Sequence, residues 1–203
     1  MITLKRATPA AIRYACLHFH YAKAVPSVIY AYNVYNEQNE WCGCILYSQG
    51  ANNNIASGVN MKTGEVCELV RVALNGKQPC TSECVAASIR QLHKDAPQIK
   101  IIVSYADIDQ NHIGTIYQAT NWIYLGDMNV NSIGAFIVHG KKTHPRSLAS
   151  KGYVQSLKWL QENVDPNAKP FYTKGKRKYI FVFDKKLRQE WQKKALPYPK
   201  KGE

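Results

Sequence analysis

The sequence predicts an α/β fold in which helices flank a mixed β-sheet. Apolar runs of strand length alternate with helical patterns along most of the 203 residues, and such alternation is typical of an α/β sandwich. One run, IKIIVSYA (99–106), is continuously apolar, as expected of a central strand that is covered on both faces. The chain is 45% apolar, so it can bury a core, and its length suits one domain or one domain with an extension.

The amino-terminal half predicts a helix, a hairpin, a strand and a second helix. Thr8 is a typical helix N-cap and Pro9 a typical first helical residue. The polar turn NEQNE joins two strand-like runs, which predicts a hairpin. The predicted elements are the helix AAIRYACLHFH (10–20), the strands VIYAYNVY (28–35) and WCGCILYS (41–48), a polar loop over 49–64, the strand VCELVRVAL (66–74) and a helix capped by Thr81 or Ser82.

The carboxyl-terminal half predicts further strands and helices. These are the central strand 99–106, a helix over about 110–121, the strands WIYLGDM (122–128) and SIGAFIVHG (132–140), the helix GYVQSLKWLQENV (152–164), the strand KYIFVFD (178–184) and the basic helix KKLRQEWQKK (185–194). A strand followed by a polar loop and a capped helix is a recurring arrangement for nucleotide cofactors, because the helix start offers free N–H groups to a pyrophosphate.

Positive charge is concentrated in the last third of the chain. Residues 1–140 hold 10 Lys and Arg against 9 Asp and Glu, whereas residues 141–203 hold 17 against 5. This asymmetry predicts a near-neutral body over 1–140 and a strongly basic part over 141–203 that contacts a polyanion, with nucleic acid ahead of an anionic membrane. The alternative is a basic part that only aids solubility.

The six cysteines and the hydropathy indicate a cytoplasmic protein. The cysteines lie in apolar contexts rather than at disulfide spacing, so we expect buried thiols. Cys42 and Cys44 on one strand are more typical of a structural role than of a metal site. No apolar run is long enough for a membrane span, and the first residues do not form a signal peptide.

One candidate site follows the central strand. Ser104 and Asp107 lie at its carboxyl end, where α/β sheets bind ligands. On the helix predicted after it, His112, Tyr117 and Asn121 follow at roughly helical spacing. Asp107 or His112 could act as a base and Tyr117 as an acid. The alternative is that Asp107 caps the helix while His112 and Tyr117 pack.

A second candidate site would hold an anion. Arg71 leaves its strand before a helix whose first turn carries the hydroxyls of Thr81 and Ser82. A Gly-rich phosphate loop is absent, since Gly76 is the only glycine between strand and helix. The alternative is an ion pair between Arg71 and Glu68 beside an ordinary helix cap.

Two further segments carry polar and basic side chains. In HFHYAKAVPS (18–27), His20 is more typical of a capping or surface residue than of a catalytic one. Basic residues with interleaved aromatics could bind phosphates and stack on a base. The predicted DNA-binding residues are Lys141, Lys142, Arg146, Lys174, Lys176, Arg177 and Lys178.

Several motifs together resemble a known family. In order they are HYxKxxP from residue 20, ELxR from 68, TSE from 81, SYAD from 104, HxGTIYQATNWIYxG from 112, KRKY from 176 and PYPK from 197. This series resembles the Mom family of bacteriophage DNA-modification proteins over residues 18 to 200. The resemblance implies a fold like that of the GNAT acetyltransferases, with a mixed sheet flanked by helices and a basic C-terminal extension. In one compact domain it implies a catalytic core over 1–140 and a basic part over 141–203 that completes the sheet and contacts DNA.

The resemblance also implies an activity. Mom proteins convert adenine in DNA to an N6-carbamoylmethyl (acetamido) derivative, which protects phage DNA from host restriction. The implied location is the cytoplasm of the bacterial host, and the implied partner is DNA with the target adenine flipped out, without a membrane partner and with a homodimer as one option. The rival functions are an ordinary N-acetyltransferase and a non-catalytic DNA-binding protein.

The resemblance assigns roles to individual residues. The implied cofactor is acetyl-CoA or a related donor, although NGKQPCTSE replaces the Gly-rich loop of GNAT proteins, and iron is a second option, with His20 and Asp107 as ligands. The implied catalytic residues are His20, Tyr21, Ser104, Asp107, His112, Tyr117 and Asn121. The implied cofactor-binding residues are Arg71, Val72, Thr81, Ser82 and Glu83.

Overall fold

The computed structural model describes residues 2–50 and 54–200. Contacts within the chain divide the described residues into two compact units. The large unit takes its residues from Met1–Tyr105, Gly114–Gly126 and Lys178–Glu203, and the small unit comprises Ala106–Ile113 and Asp127–Arg177. Within the described residues, no helix is long and apolar enough to cross a membrane.

A seven-stranded sheet with the strand order β1-β2-β3-β4-β5-β10-β6 organises the fold. The strands are β1 Thr3–Arg6, β2 Tyr30–Tyr35, β3 Trp41–Ser48, β4 Val66–Leu74, β5 Ile101–Asp107, β6 Ile123–Met128 and β10 Lys176–Val182. Neighbouring strands from β1 to β4 are antiparallel, and β4 and β5 are parallel. The predicted α/β fold with a mixed sheet is therefore confirmed.

Helices pack on both faces of this sheet. They are α1 Pro9–Phe19, α2 Asn54–Ser57, α3 Thr81–Asp95, α4 Thr115–Ala119 and α7 Lys185–Gln192. Ala15 and Cys16 of α1 pack with Leu46 on one face. On the other face the Tyr47 hydroxyl lies 2.7 Å from the Ser88 hydroxyl of α3.

Local signals explain why these elements form. The predicted cap of α1 is confirmed, because the Thr8 hydroxyl accepts a hydrogen bond from Ala11 N and Pro9 begins the helix. All six cysteines are free and five are buried, as the sequence predicts. Burial raises the pKa of Cys44 to about 12, which keeps this thiol protonated and unreactive.

Three expectations about element boundaries need correction. The predicted loop over 49–64 contains α2, and the predicted strands omitted β1. The continuous helix over 110–121 is wrong: a 3₁₀ turn, Ile108–Gln110, is followed by the short α4. Asn111 has φ 57° and Gly114 has φ 80°, and a right-handed helix cannot continue through such backbone.

The small unit contains a three-stranded antiparallel sheet with the order β8-β7-β9. Its elements are β7 Ile133–Val138, β8 Lys141–Thr143, α5 Pro145–Ala149, α6 Leu157–Asn163 and β9 Lys169–Tyr172. Phe136 and Val138 of β7 pack with Leu148 of α5 and Leu160 of α6. The sequence predicted β7 and α6 but not β8, β9 or α5.

The compact units do not divide at residue 140. Strand β10 and helix α7 are basic in sequence, yet Lys178 and all later described residues belong to the large unit. The small unit contains 9 Lys and Arg against 5 Asp and Glu. A basic part over 141–203 that contacts DNA remains a prediction about function.

Candidate active site

Strands β4 and β5 separate partway along their length. Their parallel ladder consists of the pairs Val66–Ile101, Cys67–Ile102 and Glu68–Val103. Beyond these pairs β4 continues to Leu74 and β5 to Asp107. The register between β3 and β4 shifts at the same level, where Leu46 opposes Arg71 but Tyr47 opposes Leu69, so Val70 is an extra residue. The bulge therefore coincides with the end of the β4–β5 ladder, and we call the region beyond the last pair, where the two strands are no longer paired, the cleft between β4 and β5.

A chain of hydrogen bonds crosses this cleft within the large unit. Ser104 Oγ lies 2.7 Å from the Leu69 carbonyl oxygen and 2.8 Å from the Tyr117 hydroxyl. A carbonyl only accepts, so the single Ser104 hydroxyl hydrogen is committed to Leu69. Tyr117 must then donate to Ser104, which leaves the lone pairs of the Tyr117 oxygen as an acceptor for a ligand.

Tyr117 keeps its proton at neutral pH. Burial raises its pKa to about 12. Electrostatic interactions with Tyr21 and with the Glu68 carboxylate raise this pKa further. A phenol in this state is a positioning group rather than a base.

Gly114 and Tyr179 fix the position of Tyr117. The Tyr117 and Tyr179 rings are 5.1 Å apart. Gly114, which precedes α4, lies so close to Tyr179 that a Cβ there would be 2.5 Å from ring carbon Cε2. Glycine therefore serves two needs at this position, since its φ is 80° and no side chain fits.

The carboxyl-terminal segment packs beside the same rings. Gln118 Nε2 donates to the Tyr179 hydroxyl and to the Pro199 carbonyl, both at 3.3 Å. The Tyr198 hydroxyl donates to the Trp122 carbonyl, and Leu196 N donates to Tyr124 O of the edge strand β6. The segment around PYPK therefore covers β6 and borders the aromatic cluster.

Arg71 lies on the α1 face of the sheet. It opposes Leu46, and directly paired residues share a face. One of its terminal nitrogens donates to Val70 O at 2.7 Å. Its Nε is buried and has no hydrogen-bond acceptor among the described residues. A ligand carbonyl or phosphate oxygen could supply this acceptor.

The predicted anion site is divided between two faces. Tyr47 neighbours Leu46 on β3 and therefore points to the other face, where its hydroxyl meets Ser88 of α3. Arg71 thus lies on the face opposite α3, the helix that begins with Thr81. The expectation that Arg71 and this helix start bind one anion together needs correction.

The start of α3 fits a phosphate on its own. Its N-cap is Cys80, rather than Thr81 or Ser82, and no side chain caps its first turn in the described structure. The Cys80 thiol lies 3.1 Å from the Ser82 hydroxyl and against the N–H groups of Ser82 and Glu83, and these contacts lower its pKa. A phosphate at this helix start would take the place of the thiol. Thr81 Oγ accepts from Gln78 Nε2, so its hydroxyl is already bonded.

The turn before α3 is less open than a Gly-rich loop. Gly76 N donates to Gln78 Oε1, and Lys77 N donates to Asn75 Oδ1. Pro79 has no N–H group. An acetyl-CoA-type donor would therefore rely on the first turn of α3. Val72, the remaining predicted cofactor-binding residue, is half-buried on β4.

Of the remaining predicted catalytic residues, His20 and Tyr21 lie together at the end of α1, and Asn121 lies in the turn before β6. His20 ends α1, and its Nδ1 accepts from Ala22 N; its ring lies 4.3 Å from that of Tyr21. Asn121 is exposed with φ 58°, so it serves the turn before β6, where its carbonyl accepts from Arg188. The sequence interpretation missed this conformational role of Asn121.

Asp107 and His112 belong to the small unit. Asp107 caps the 3₁₀ turn by accepting from Asp109 N at 3.0 Å, as the capping alternative predicted, but the capped element is not a long helix. Its carbonyl also accepts from His112 N. In residues 2–50 and 54–200, no group of three or more His, Cys, Asp or Glu could hold a metal ion, so the iron site at His20 and Asp107 is not supported.

Five of the seven predicted DNA-binding residues are exposed in the small unit. Lys142 and Lys174 both lie near Asp109, whose pKa is lowered because hydrogen bonds and these two charges outweigh the effect of burial. Burial first, and then Arg146 and Lys176, lowers the pKa of His144. Lys141 is also exposed on β8.

The other two predicted DNA-binding residues have structural partners. Arg177 is only 7% exposed, and its Nε lies 3.6 Å from Asp127 Oδ1. Lys178 is half-buried, which lowers its pKa, and its Nζ donates to Gly58 O at 3.3 Å. These contacts compete with the phosphate contacts that the sequence predicts for both residues.

Some residues of the cleft carried no predicted role. Tyr179, Gln118 and Tyr198 surround Tyr117, although the sequence interpretation assigned them nothing. All three lie in quoted motifs, namely KRKY, GTIYQATNWIY and PYPK. Their presence in these motifs was the one sequence signal that could have indicated a role for them in the site.

The sheet with a splayed β4–β5 pair and a helix beginning after β4 defines a protein with the GNAT acetyltransferase fold. Solved structures agree. A provisionally assigned phosphinothricin N-acetyltransferase is 7% identical with a TM-score of 0.53, covering 91% of this chain and 100% of that chain. The spermidine/spermine N-acetyltransferase SpeG from Vibrio cholerae is 8% identical with a TM-score of 0.51, covering 93% and 96%.

The family follows from the sequence itself. The model of the Mom protein family matches residues 1–200, so the chain belongs to that family. The resemblance seen in the motifs is thereby confirmed, and so is the GNAT-like fold that it implies. Curated proteins compared with this chain gave no match.

Proposed function

We propose that this protein is a DNA-modifying enzyme that attaches a carbamoylmethyl group to N6 of adenine and so protects phage DNA from restriction. The observation that carries the proposal is membership of the Mom family over residues 1–200. The cleft between β4 and β5 supports it, because Tyr117 offers an acceptor there to a substrate amine.

The chemistry of the product limits the reaction. The lone pair of adenine N6 is delocalised into the ring, so the amine is a weak nucleophile. Transfer of an acetyl group would give N6–CO–CH3, whereas carbamoylmethylation joins N6 to a methylene carbon. The reaction therefore differs from plain acyl transfer, and an oxyanion hole alone cannot achieve it.

Tyr117 positions the amine in this proposal. Its hydrogen is donated to Ser104, which is held by the Leu69 carbonyl. The N6 amino group donates hydrogen bonds, so it matches the acceptor that Tyr117 presents. This role replaces the earlier expectation that Tyr117 is an acid, because its proton is committed and its pKa is about 12.

An acetyl-CoA-type molecule is proposed to bind at the start of α3. To yield the carbamoylmethyl group it would need a nitrogen donor that displaces the thiol and forms the amide, and a two-electron oxidant for the bond between N6 and the methyl carbon. Backbone N–H groups of Thr81, Ser82 and Glu83 would hold a phosphate of the acetyl-CoA-type molecule at the start of α3. Arg71, on the opposite face, would contact the substrate or the transferred group through its buried Nε.

DNA is the proposed partner of the small unit. Lys142, Arg146, Lys174 and Lys176 are exposed there and would neutralise phosphates. Adenine N6 is paired within a duplex, so the target base must be extruded before the cleft can act on it. The proposal that Asp107 accepts a proton rests on membership of the Mom family, because its carboxylate caps the 3₁₀ turn of the small unit.

Nucleoside mass spectrometry tests the proposal. Plasmid DNA from bacteria that express the protein should contain deoxyadenosine heavier by C2H3NO, and an Asp107→Ala variant should lose this product. A gain of C2H2O would show acetylation of the base instead. Unmodified DNA would contradict the proposal and favour an acetyltransferase of a small molecule or protein.

The same DNA samples and variants distinguish the proposed enzyme from a non-catalytic DNA-binding protein. Such a protein would bind DNA through its basic residues without producing a modified nucleoside. Asp107→Ala and Tyr117→Phe would then leave its protective effect in cells unchanged, whereas the enzyme should lose protection and product together.

A further inference from the structure

An apolar tip projects from one end of the small sheet. Ile133 of β7 and Tyr172 of β9 are directly paired, so their side chains share a face. Ile133 is 45% exposed and Tyr172 is 60% exposed, and nearby Val130 is 52% exposed. We call Val130, Ile133 and Tyr172 the apolar tip. Large apolar side chains grouped at the surface indicate an interaction site.

Hydrogen bonds hold the chain rigidly just beyond Tyr172. Asp109 accepts from the Thr173 hydroxyl at 2.7 Å and from Lys174 N at 2.9 Å. Gly175 O accepts from Ile108 N at 3.2 Å, and Thr173 O accepts from Asn131 N at 3.0 Å. These hydrogen bonds connect the segment beside the apolar tip to the turn that follows β5.

Two glycines make this close packing possible. A Cβ at Gly134 would lie 2.9 Å from Thr173 Cβ. Gly175 has φ 100°, and a Cβ there would lie 2.6 Å from the Met128 carbonyl oxygen. The chain thus packs closely at both positions, on either side of the segment that follows Tyr172, and leaves no space for a side chain there.

The surroundings of the tip are positively charged. Lys174 and Lys176 are exposed and follow Tyr172 directly along the chain. An apolar group bordered by lysines matches DNA, whose phosphates are negative and whose stacked bases are apolar. An acidic protein surface would satisfy the lysines, but it would not require an exposed aromatic ring.

We propose that the apolar tip inserts into the base stack of duplex DNA at the position that the extruded adenine leaves. The inference rests on the proposed DNA substrate and adds how the duplex is opened. Tyr172 would stack on the exposed neighbouring base, Ile133 would fill the remaining space, and Lys174 and Lys176 would hold the flanking phosphates. Aromatic and aliphatic side chains serve as such wedges in proteins that distort DNA.

The test is a binding comparison that needs no donor molecule. Purified protein is titrated with an intact duplex and with the same duplex carrying one abasic site, which provides the vacated position in advance. The wild type should bind the abasic duplex about tenfold more tightly, since stacking on one base is worth roughly five- to hundredfold in affinity. Tyr172→Ala should abolish this preference and retain the affinity for intact duplex.

Matched variants keep the test decisive. Val154→Ala removes another exposed apolar side chain of the small unit, 51% exposed, and should keep the preference. Tyr172→Leu should keep part of it. A preference that survives Tyr172→Ala, or no preference in the wild type, would overturn the inference.

The outcome is separable from that of the proposed function. If cellular DNA contains modified adenine but the protein shows no preference for the abasic duplex, only the proposed insertion of the apolar tip is overturned. A preference for the abasic duplex that depends on Tyr172, together with unmodified cellular DNA, would support the insertion of the apolar tip and contradict the proposed enzymatic activity.

Discussion

At the scale of single residues, one hydroxyl hydrogen decides what Tyr117 can do. Ser104 has one hydrogen, and the Leu69 carbonyl takes it, so Tyr117 donates to Ser104 and accepts from a ligand. The sequence placed both residues in the site, but it could not reveal the direction of these bonds. That direction depends on the carbonyl of Leu69, which the bulge at Val70 leaves beside the open cleft.

Tyr117 also makes stability depend on alkaline pH. Its folded pKa of about 12 exceeds the ordinary value of 10, so the folded protein retains the proton longer than the unfolded chain. This contribution is present in full below pH 10 and is lost as the pH rises toward 12, by on the order of 2–3 kcal/mol. We predict that the free energy of unfolding falls less steeply between pH 10 and 12 in Tyr117→Phe than in wild type.

Chemical denaturation at several pH values measures this difference. Tyr14→Phe is the control, because Tyr14 is 50% exposed on α1. Equal pH slopes for wild type and Tyr117→Phe would contradict the burial argument for Tyr117.

At the scale of elements, Gly114 determines where α4 begins. Gly114→Ala would force a Cβ to within 2.5 Å of the Tyr179 ring at a φ of 80°. We predict a loss of roughly 2–4 kcal/mol in the free energy of unfolding, from overpacking and backbone strain together. Gly64→Ala is the matched control, because Gly64 has φ 93° but nothing within 4 Å of its Cβ position. Similar losses in both variants would show that packing against Tyr179 contributes nothing.

Asp109 connects the turn after β5 to the basic segment that begins at Thr173. Asp109→Ala should release this segment, because two hydrogen bonds to a carboxylate are lost, at roughly 1.5–3 kcal/mol each. The pKa of Asp109 lies below its ordinary value, so the anchoring is complete above pH 4 and weakens as the pH falls further. Hydrogen exchange of Lys174 N should accelerate in Asp109→Ala at neutral pH.

The exchange experiment has an internal reference. Val138 and Leu148 lie in the core of the same unit, so their amides should stay protected if only the segment is released. Unchanged protection of Lys174 N in Asp109→Ala would contradict the anchoring role.

The elements with strong local signals were predictable. Thr8 and Pro9 announced α1, and β4 has the predicted bounds of 66–74. The short, polar elements could not be predicted, because KKT in β8 and KPFY in β9 lack the alternation of apolar and polar residues that indicates a strand. The helix over 110–121 failed because the positive φ angles of Asn111 and Gly114 interrupt it, and helical spacing alone does not reveal them.

The candidate site was predictable only in part. The motifs pointed to Ser104 and Tyr117, which are in contact. The position of Arg71 on the face opposite α3 depends on the register between β3 and β4 and on one bulge. Register and bulges arise from tertiary structure, so residues that belong to neighbouring sequence motifs can lie on different faces of a sheet.

At the scale of the whole molecule, charge should govern DNA binding. Replacing Lys142, Arg146, Lys174 and Lys176 by Ala should weaken DNA binding and reduce the slope of log affinity against log salt by about 0.9 for each lost phosphate contact. Fluorescence anisotropy over a salt series measures both quantities. A control that replaces exposed Lys62 and Lys94 of the large unit should leave the slope intact. An unchanged slope in the fourfold variant would remove these residues from the DNA-binding surface.

The central claim is that the cleft between β4 and β5 carries out chemistry on adenine. The most direct measurement is the fraction of modified deoxyadenosine in plasmid DNA from cells that express wild type, Tyr117→Phe or the folded control Tyr14→Phe at equal levels. We predict deoxyadenosine heavier by C2H3NO with wild type and Tyr14→Phe, and at least a tenfold lower fraction with Tyr117→Phe, since one lost transition-state hydrogen bond is worth about a factor of ten or more. An equal fraction in all three would show that the reaction takes place elsewhere, and no modified nucleoside in any of them would contradict the proposed activity itself.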